Sequence, residues 1–295
     1  MTASAVSTPP IRVKPRRIVL HIFLLVMALL WLFPLLWALY TSFRPFADTF
    51  KHGYISLPST LTLDNYFTAW TQANLPYYFL NTLIIVIPSL FFILWLSSMI
   101  AFAISGFSWR FNLVFLLLFT AGNLLPPQVI IVPLYRIYLA LPVPKPLSDN
   151  GLMYDQYIGI ALIHIVFQIG FCAFVLSNYM RTLPRELTEA ALVDGASVWR
   201  IYRSVILPLC RPALAALATL EFTFMYNDFF WALLLMKTGT KRPITSALNN
   251  LQGQFFTNNN LVAAGALMVA IPTIIVFLLL QRQFIRGLTL GSTKG

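Results

Sequence analysis

Six long apolar runs alternate with polar segments along the chain, and this alternation predicts its architecture. Each run has the roughly 20 residues that an α-helix needs to cross the hydrocarbon core of a bilayer. The sequence therefore predicts an all-α membrane protein with six transmembrane helices. The runs cover residues 18–43, 78–107, 111–138, 157–179, 213–236 and 261–280.

The first run is too long to be the core of a signal peptide. It extends from Ile18 to Phe43, whereas a signal core has about 7–15 residues and precedes a small-residue cleavage site, which this sequence lacks. We therefore expect it to be retained as the first span. His21 and Pro34 within it are interpreted as an interfacial histidine and a tolerated kink.

Three prolines interrupt the third run, at Pro126, Pro127 and Pro133. A proline inside a helix leaves a backbone carbonyl without its usual donor. Such prolines are tolerated in a membrane where neighbouring helices or a water-filled cavity satisfy the freed carbonyls. The third span is therefore predicted to be broken and to lie in such surroundings.

Residues 184–212 form the one long polar, charge-bearing stretch in the second half of the chain. Pro184 suits the first turn of a helix, and Gly195 can adopt the left-handed conformation that ends one. Ser197 can cap a second helix, which Pro208 then interrupts. The pattern predicts two short helices joined by a glycine elbow, between the fourth and fifth spans.

Composition and charge agree with a membrane location. Apolar residues make up 59% of the chain and charged residues only 10%, well below the roughly 25% of soluble domains. The net charge of +11 comes from basic residues that flank the apolar runs, so membrane orientation explains it better than nucleic-acid binding. With both termini inside, most Lys and Arg residues lie on the inner side. Residues 181–212 are then predicted to be cytoplasmic.

Polar side chains within the predicted spans are candidates for a transport pathway, because such groups usually face a cavity or a partner. The candidates are Glu221, Asn227 and Asp228 in the fifth run, with Gln128 and Gln168 in the third and fourth. Each has an alternative role. Glu221 could pair within the bundle, and the amides of Gln128 and Gln168 could join helices. Asp228 could be solvated at the outer interface, cap a helix or pair with a basic group on a partner. The aromatic residues after Asp228 suit either a sugar ring or the outer membrane interface.

The sequence has no catalytic or metal-binding constellation. Its three histidines are scattered, and it contains no G-x-x-x-x-G-K-[ST] phosphate loop. Cys172 and Cys210 lie in or beside apolar segments without metal-ligand spacing, so we predict that they are packing residues. The chain is therefore expected to bind no cofactor, to hydrolyse no ATP and to be no enzyme.

The polar stretch carries a motif with fixed spacing. It consists of Glu189-Ala190-Ala191, then Asp194-Gly195-Ala196, then Ile206-Leu207-Pro208. This motif resembles the EAA loop of the membrane subunits of bacterial ABC importers, the cytoplasmic element that plugs into the ATPase subunits. An amphipathic hairpin lying on the membrane is the alternative. The resemblance implies that the coupling residues are Glu189, Ala190, Ala191, Asp194, Gly195, Ala196, Leu207 and Pro208.

The carboxyl end extends this resemblance. Residues 281–289, followed by Lys294 and Gly295, are similar to the tail of maltose-type carbohydrate importer permeases. Asn81 at the start of the second span, the proline-rich third span and the Asn-Asp-Phe sequence in the fifth extend the resemblance over nearly the whole chain. Tyr202 departs from the phenylalanine that is common in the family, but this change keeps the aromatic ring.

The resemblance implies one permease of a heterodimer in the bacterial cytoplasmic membrane, with both termini cytoplasmic. Its implied partners are a second, similar permease, two ATPase subunits that bind ATP and Mg²⁺, and an extracytoplasmic solute-binding protein that delivers a sugar or glycoside. We expect a basic, disordered tail at 1–17, the permease domain at 18–284 and a cytoplasmic tail at 285–295. An importer of glycerol phosphate or a polyol is one alternative. A stand-alone secondary transporter or channel is an alternative from another class.

Overall fold

The described part of the chain is helical, as the apolar runs predict. The computed structural model describes residues 15–107, 110–124, 126–251 and 257–289; the rest of the expected terminal tails, 1–14 and 290–295, lies outside these residues. In chain order the α-helices are α1 (Pro15–Ser42), α2 (Phe46–His52), α3 (Asp64–Gln72), α4 (Leu75–Gly106), α5 (Asn112–Leu124), α6 (Ile131–Ala140), α7 (Tyr157–Met180), α8 (Glu186–Val193), α9 (Val198–Ile201), α10 (Leu207–Leu209), α11 (Arg211–Tyr226), α12 (Phe230–Leu235), α13 (Ile244–Ala247) and α14 (Asn259–Thr289).

Among the described residues, four helices are long and apolar enough to cross a membrane, namely α1, α4, α7 and α14. They correspond to the first, second, fourth and sixth predicted runs. A fifth candidate is the pair Val198–Leu209 and Arg211–Tyr226, which is bent by 71° at its break. The last helix is longer than its apolar run, since α14 continues to Thr289. It therefore includes residues 285–289, which we expected to belong to the cytoplasmic tail.

The third run is broken, as its prolines predict. Helix α5 ends at Leu124, a 3₁₀ turn covers Pro127–Ile130, and α6 follows. Pro126 has an extended backbone, with ψ of 128°, because the ring of a following proline disfavours the helical region for the residue before it.

The fifth run differs from the prediction. We predicted a span over 213–236, and the structure interrupts its helix: α11 ends at Tyr226 and α12 begins at Phe230. At the break the Asn227 side-chain nitrogen donates to the carbonyl of Thr223 at 2.8 Å. Short polar side chains offer the backbone alternatives to helical hydrogen bonds, so hydropathy alone missed the interruption.

The long pair α4 and α7 forms the centre of the bundle, and α11 packs between these helices and α14. Ile93 on α4 and Leu176 on α7 are fully buried where the helices meet. The start of α7 is packed so closely that a Cβ atom at Gly159 would lie 2.6 Å from the carbonyl oxygen of Met153. The packing of α11 against α4 and α7 places its polar residues near those of α7.

Helix α1 lies at the edge of the bundle. It packs along α14, and its side chains from Arg16 to Leu36 are exposed in the isolated chain. Such a long apolar surface needs lipid or another membrane helix to cover it.

A cluster of buried polar side chains lies at the carboxyl end of α1 and is called here the Arg44 cluster. Its members are Arg44, Asp48, Asn65 and Asn260. Arg44 is only 1% exposed. Its Nε and Nη2 atoms donate to Asp48 Oδ2 at 3.0 and 2.7 Å, and Nη1 donates to the carbonyl of Tyr54 at 3.1 Å. Hydrogen bonds from Ser59 and Arg44 lower the pKa of the Asp48 carboxyl well below its usual range.

The two asparagines of this cluster tie it to α3 and α14. Asn65 donates through Nδ2 to the carbonyls of Ser42 and Arg44, both at 2.8 Å. Asn260 donates through Nδ2 to the carbonyl of Arg44 at 3.0 Å and to the Thr49 hydroxyl at 2.9 Å. The cluster therefore joins the end of α1 to α2, α3 and the start of α14.

Candidate functional site

Residues 184–212, called here the elbow segment, contain the two short helices that the sequence predicts. Helix α8 ends at Val193, and Gly195, two residues later, has a φ of +73°. The amide of Ala196 donates to the carbonyl of Ala191 at 2.9 Å, and that of Gly195 to the carbonyl of Leu192 at 3.0 Å. This pair of bonds is a Schellman cap, which requires the left-handed conformation at its centre. The glycine elbow is confirmed.

The second helix of the elbow segment begins as predicted and is anchored to the bundle. The Ser197 hydroxyl accepts a hydrogen bond from the amide of Arg200 at 3.3 Å and so caps α9. A turn of π-helix follows at Tyr202–Ile206. The Tyr202 hydroxyl lies 2.8 Å from that of Ser98, and its ring packs against Phe102 with centroids 5.4 Å apart. Tyr202 thereby connects the elbow segment directly to α4.

The eight residues implied in coupling fall into two groups. Glu189, Ala190, Asp194 and Gly195 are exposed on α8 and the turn after it, whereas Ala191 and Ala196 are partly buried there. Leu207 and Pro208 lie in α10, partly buried, just before the 71° bend. Behind α8 lies a cavity of about 380 Å³ against the ends of α4 and α7, and Glu189 is among its lining residues. The elbow segment thus places the Glu189 carboxylate beside this cavity.

A second and larger cavity, the α11 cavity, has a volume of about 690 Å³ and runs along one face of α11. Thr219, Thr223 and Asn227 recur at intervals of four residues, so they share one side of the helix. Aromatic side chains make up much of the remaining wall. The lining residues are Thr219, Leu220, Thr223, Phe224, Asn227, Asp228, Phe229, Phe230 and Phe277.

The structure brings only some of the predicted pathway residues to this cavity. Asn227 and Asp228 line it, whereas Glu221, Gln128 and Gln168 are not among its lining residues. Gln128 is exposed in the 3₁₀ turn of the third run, and Gln168 is partly buried on α7. Of the aromatic residues that follow Asp228, the two phenylalanines line the cavity, while the tryptophan is buried against α7.

Asp228 is held by groups of its own chain. Its Oδ1 accepts a hydrogen bond from the amide of Trp231 at 3.3 Å, which caps α12. Its Oδ2 lies 3.6 Å from Nε2 of His164 on α7, and the two side chains are 10% and 3% exposed. The helix-capping alternative is confirmed, and the alternative of a solvated carboxylate is contradicted by this burial. His164 was not among the predicted site residues, although a histidine inside an apolar run is a usable signal.

Glu221 faces away from the cavity, towards α7. It is 1% exposed, and its Oε1 accepts a hydrogen bond from the Cys172 thiol at 3.3 Å. Its Oε2 has no hydrogen-bond partner among the described residues. Pairing within the bundle is therefore the alternative that the geometry supports. Cys172 and Cys210 are buried and free, as predicted for packing residues, but Cys172 is also a hydrogen-bond donor.

Comparison with known sequences identifies related membrane proteins. Residues 93–289 match the family of binding-protein-dependent transport system inner membrane components. The chain is 32% identical over 275 residues to the arabinooligosaccharides transport system permease protein AraQ of Halalkalibacterium halodurans, covering 91% of this chain and 93% of that protein.

Comparison with solved structures identifies the same architecture. A chain from the crystal structure of a bacterial ABC transporter involved in the import of the acidic polysaccharide alginate aligns with a TM-score of 0.77 and 23% identity, covering 94% of this chain and 100% of that one. A second alginate ABC transporter structure, in complex with an alginate pentasaccharide-bound periplasmic protein, aligns with a TM-score of 0.65 and 19% identity, covering 92% and 96%. At these identities the likeness establishes the fold.

Proposed function

The chain belongs to the family of binding-protein-dependent transport system inner membrane components, and from this premise we propose that it forms half of an ATP-driven import pathway for an oligosaccharide or glycoside. As a member of that family it is a multi-pass membrane permease subunit of an ABC transporter. It is a transport component rather than an enzyme.

A carbohydrate substrate is supported by the relatives. AraQ is named for the transport of arabinooligosaccharides, and its similarity extends over almost the whole of both chains. The structural neighbours import alginate, another carbohydrate. We propose by this likeness that the solute of the present chain is also a sugar.

The proposed assembly contains four kinds of subunit. A second permease would cover the exposed apolar surface of α1 and complete the wall of the α11 cavity. Two ATPase subunits would bind ATP and Mg²⁺. An extracytoplasmic solute-binding protein would deliver the sugar, a role supported by the periplasmic protein bound in one structural neighbour.

The proposed topology has six spans, with both termini and the elbow segment in the cytoplasm. The third and fifth spans would each consist of a broken helix. Backbone groups freed at such breaks are tolerated in a membrane where they line a cavity. The asymmetric distribution of Lys and Arg supports this orientation.

The observation that carries the coupling role is the shape of the elbow segment. An exposed helix with Glu189 on it ends in a Schellman cap at Gly195, and Tyr202 anchors the following turn to α4. A force applied to α8 would therefore reach the bundle through a short, ordered connection. We propose that α8 docks on an ATPase subunit and transmits its closure to α4 and α11.

Substitutions at Gly195 test this role. A Cβ at this position meets nothing within 4 Å, so a substitution acts through the backbone conformation alone. Gly195→Val should weaken association with the ATPase subunits about tenfold, because a left-handed φ costs a β-branched residue roughly 1–2 kcal/mol. Gly195→Asn is the matched control, since asparagine tolerates this conformation. Glu189→Lys should also weaken association by reversing the charge of the docking surface.

The measurement is co-purification of the ATPase subunits with the tagged chain from membranes, at equal levels of inserted chain. The Asn variant should retain most of the bound ATPase that the Val variant loses. Wild-type association in both the Val and the Lys variants would refute the docking role of the elbow segment.

A further inference from the structure

The cavity of about 380 Å³ behind α8, called here the α8 cavity, lies where two long apolar helices end. Its lining includes Gly106, the last residue of α4, and Met180, the last residue of α7. The end of a long apolar helix marks the border between the hydrocarbon core and the headgroup layer of a bilayer. The α8 cavity therefore lies at the depth of the lipid headgroups, and in the proposed topology it lies on the cytoplasmic side.

One face of α8 forms a charged wall of this cavity. Arg185, Thr188, Glu189 and Leu192 line it, and their spacing of three and four residues places them on the same side of the helix. Arg181, the residue after α7, lines the cavity as well. The charged lining residues are thus two arginines and one glutamate, with a net formal charge of +1.

Both arginines are accessible to a ligand. Arg181 and Arg185 are exposed, and within the part of the chain that the structure describes neither guanidinium forms an ion pair or lies over an aromatic ring. A guanidinium presents five N–H donors in a planar fork that matches the oxygens of a phosphate. The unused donors therefore indicate an anionic ligand at this wall.

The apolar part of the lining indicates what carries the anion. Phe107 and Leu192 line the cavity and are 48% and 54% exposed. A free phosphate makes no favourable contact with such side chains, whereas a phospholipid carries its glycerol and acyl chains directly beside its phosphate. Guanidinium groups next to exposed apolar side chains, at headgroup depth, therefore favour a lipid over a soluble anion.

We propose that the α8 cavity binds the headgroup of an anionic phospholipid from the cytoplasmic leaflet, with Arg181 and Arg185 donating to its phosphate. The negative charge of that leaflet attracts basic groups near its surface. Since Glu189 opposes an anion, the net charge of +1 suits a headgroup with one negative charge better than a zwitterionic one. The lipid would occupy the space between α8 and the ends of α4 and α7. The inference rests on the proposed topology and adds a ligand that the transport role by itself does not require.

Native mass spectrometry of the purified complex tests the proposal. The complex of this chain with its permease partner and ATPase subunits is titrated in detergent with phosphatidylglycerol or with phosphatidylcholine of the same acyl chains. The wild type should bind one phosphatidylglycerol at least about tenfold more tightly than phosphatidylcholine. Equal binding of the two lipids overturns the proposal. An excess of inorganic phosphate should leave the lipid in place, and its displacement would mean that the site takes a free anion instead.

Two double variants locate the lipid. Arg181→Gln with Arg185→Gln should remove the preference for phosphatidylglycerol. Arg200→Gln with Arg203→Gln is the matched control, because it removes the same charge from exposed positions of the elbow segment that do not line the cavity. The control should keep the preference, and equal affinities in the two double variants would overturn the assignment to this cavity.

The subunit composition of the same samples separates this proposal from the proposed function. Loss of the ATPase subunits from the Arg181 and Arg185 double variant, with normal lipid binding, would assign these arginines to a protein partner and refute the lipid site. The proposed function fails by a different result, the absence of ATPase subunits from the wild-type complex.

Discussion

The protein buries two sets of charged side chains, and it satisfies them to different degrees. In the Arg44 cluster, two nitrogens of Arg44 donate to one oxygen of Asp48, and the Ser59 amide and the His52 ring lie 3.4 and 3.0 Å from the other oxygen. At the level of α11, Glu221 and Asp228 each keep one carboxylate oxygen without a hydrogen-bond partner among the described residues.

This difference indicates different roles. A buried charge that is paired and fully hydrogen-bonded fixes the chain around it, whereas a buried polar atom left without a partner calls for an explanation such as water, an ion or a catalytic or binding role. The Arg44 cluster joins the ends of four helices and so acts as a fixed support. Glu221 on α11 and Asp228 just after it instead lie beside α7, and each has one buried oxygen for which the described residues supply no donor.

Replacement of Arg44 should have the largest effect, because it removes the cation of the paired set. Arg44→Met would leave Asp48 without its cation and should destabilise the fold strongly. The thermal midpoint of the purified complex should fall, and the loop between α2 and α3 should become sensitive to protease. Lys51→Met is the control, since it removes an exposed cation from the neighbouring helix. Equal midpoints in the two variants would show that the cluster is not a support.

Removal of the Asp228 charge should have an intermediate effect. Asp228→Asn keeps the cap on α12 but weakens the contact with His164, at an expected cost of about 1–3 kcal/mol. A double-mutant cycle with His164→Gln separates the pair from the cap. We expect a coupling energy of about 0.5–3 kcal/mol in the unfolding of the complex. Strict additivity of the two substitutions would mean that the 3.6 Å contact contributes nothing to stability.

Acidification should have the smallest effect on stability within the pH range in which membrane proteins are usually handled. The pKa of Asp48 is lower in the folded chain than in the unfolded one, so its ionised form stabilises the fold above the unfolded pKa. That contribution decreases once the pH falls below about 4, and it is lost as the pH approaches the folded pKa. The stability advantage of the wild type over Asp48→Asn should be constant between about pH 5 and 7 and shrink below about 4. An advantage that grows in acid would contradict this assignment.

The sequence was most informative where the structure depends on residues that are neighbours along the chain. The elbow at Gly195, the cap at Ser197 and the break at Pro126 and Pro127 follow from local backbone preferences, and all three are present. The break at Asn227 was missed, because hydropathy treats an asparagine and an aspartate as two polar positions in a long apolar run. Their side chains compete with the helix only when they can reach its carbonyls and amides.

The sequence by itself determined the membrane class, the long helices, the elbow and the family resemblance, since these depend on composition, on runs of apolar residues and on local conformation. Only the tertiary structure decided which polar groups meet. Arg44 contacts Asn260, Cys172 contacts Glu221 and His164 contacts Asp228. These pairs depend on how each helix is rotated about its axis. A helix that is apolar on every side carries little pattern to set that rotation, so packing of α7 against α11 fixes which residues face each other and which face the cavity.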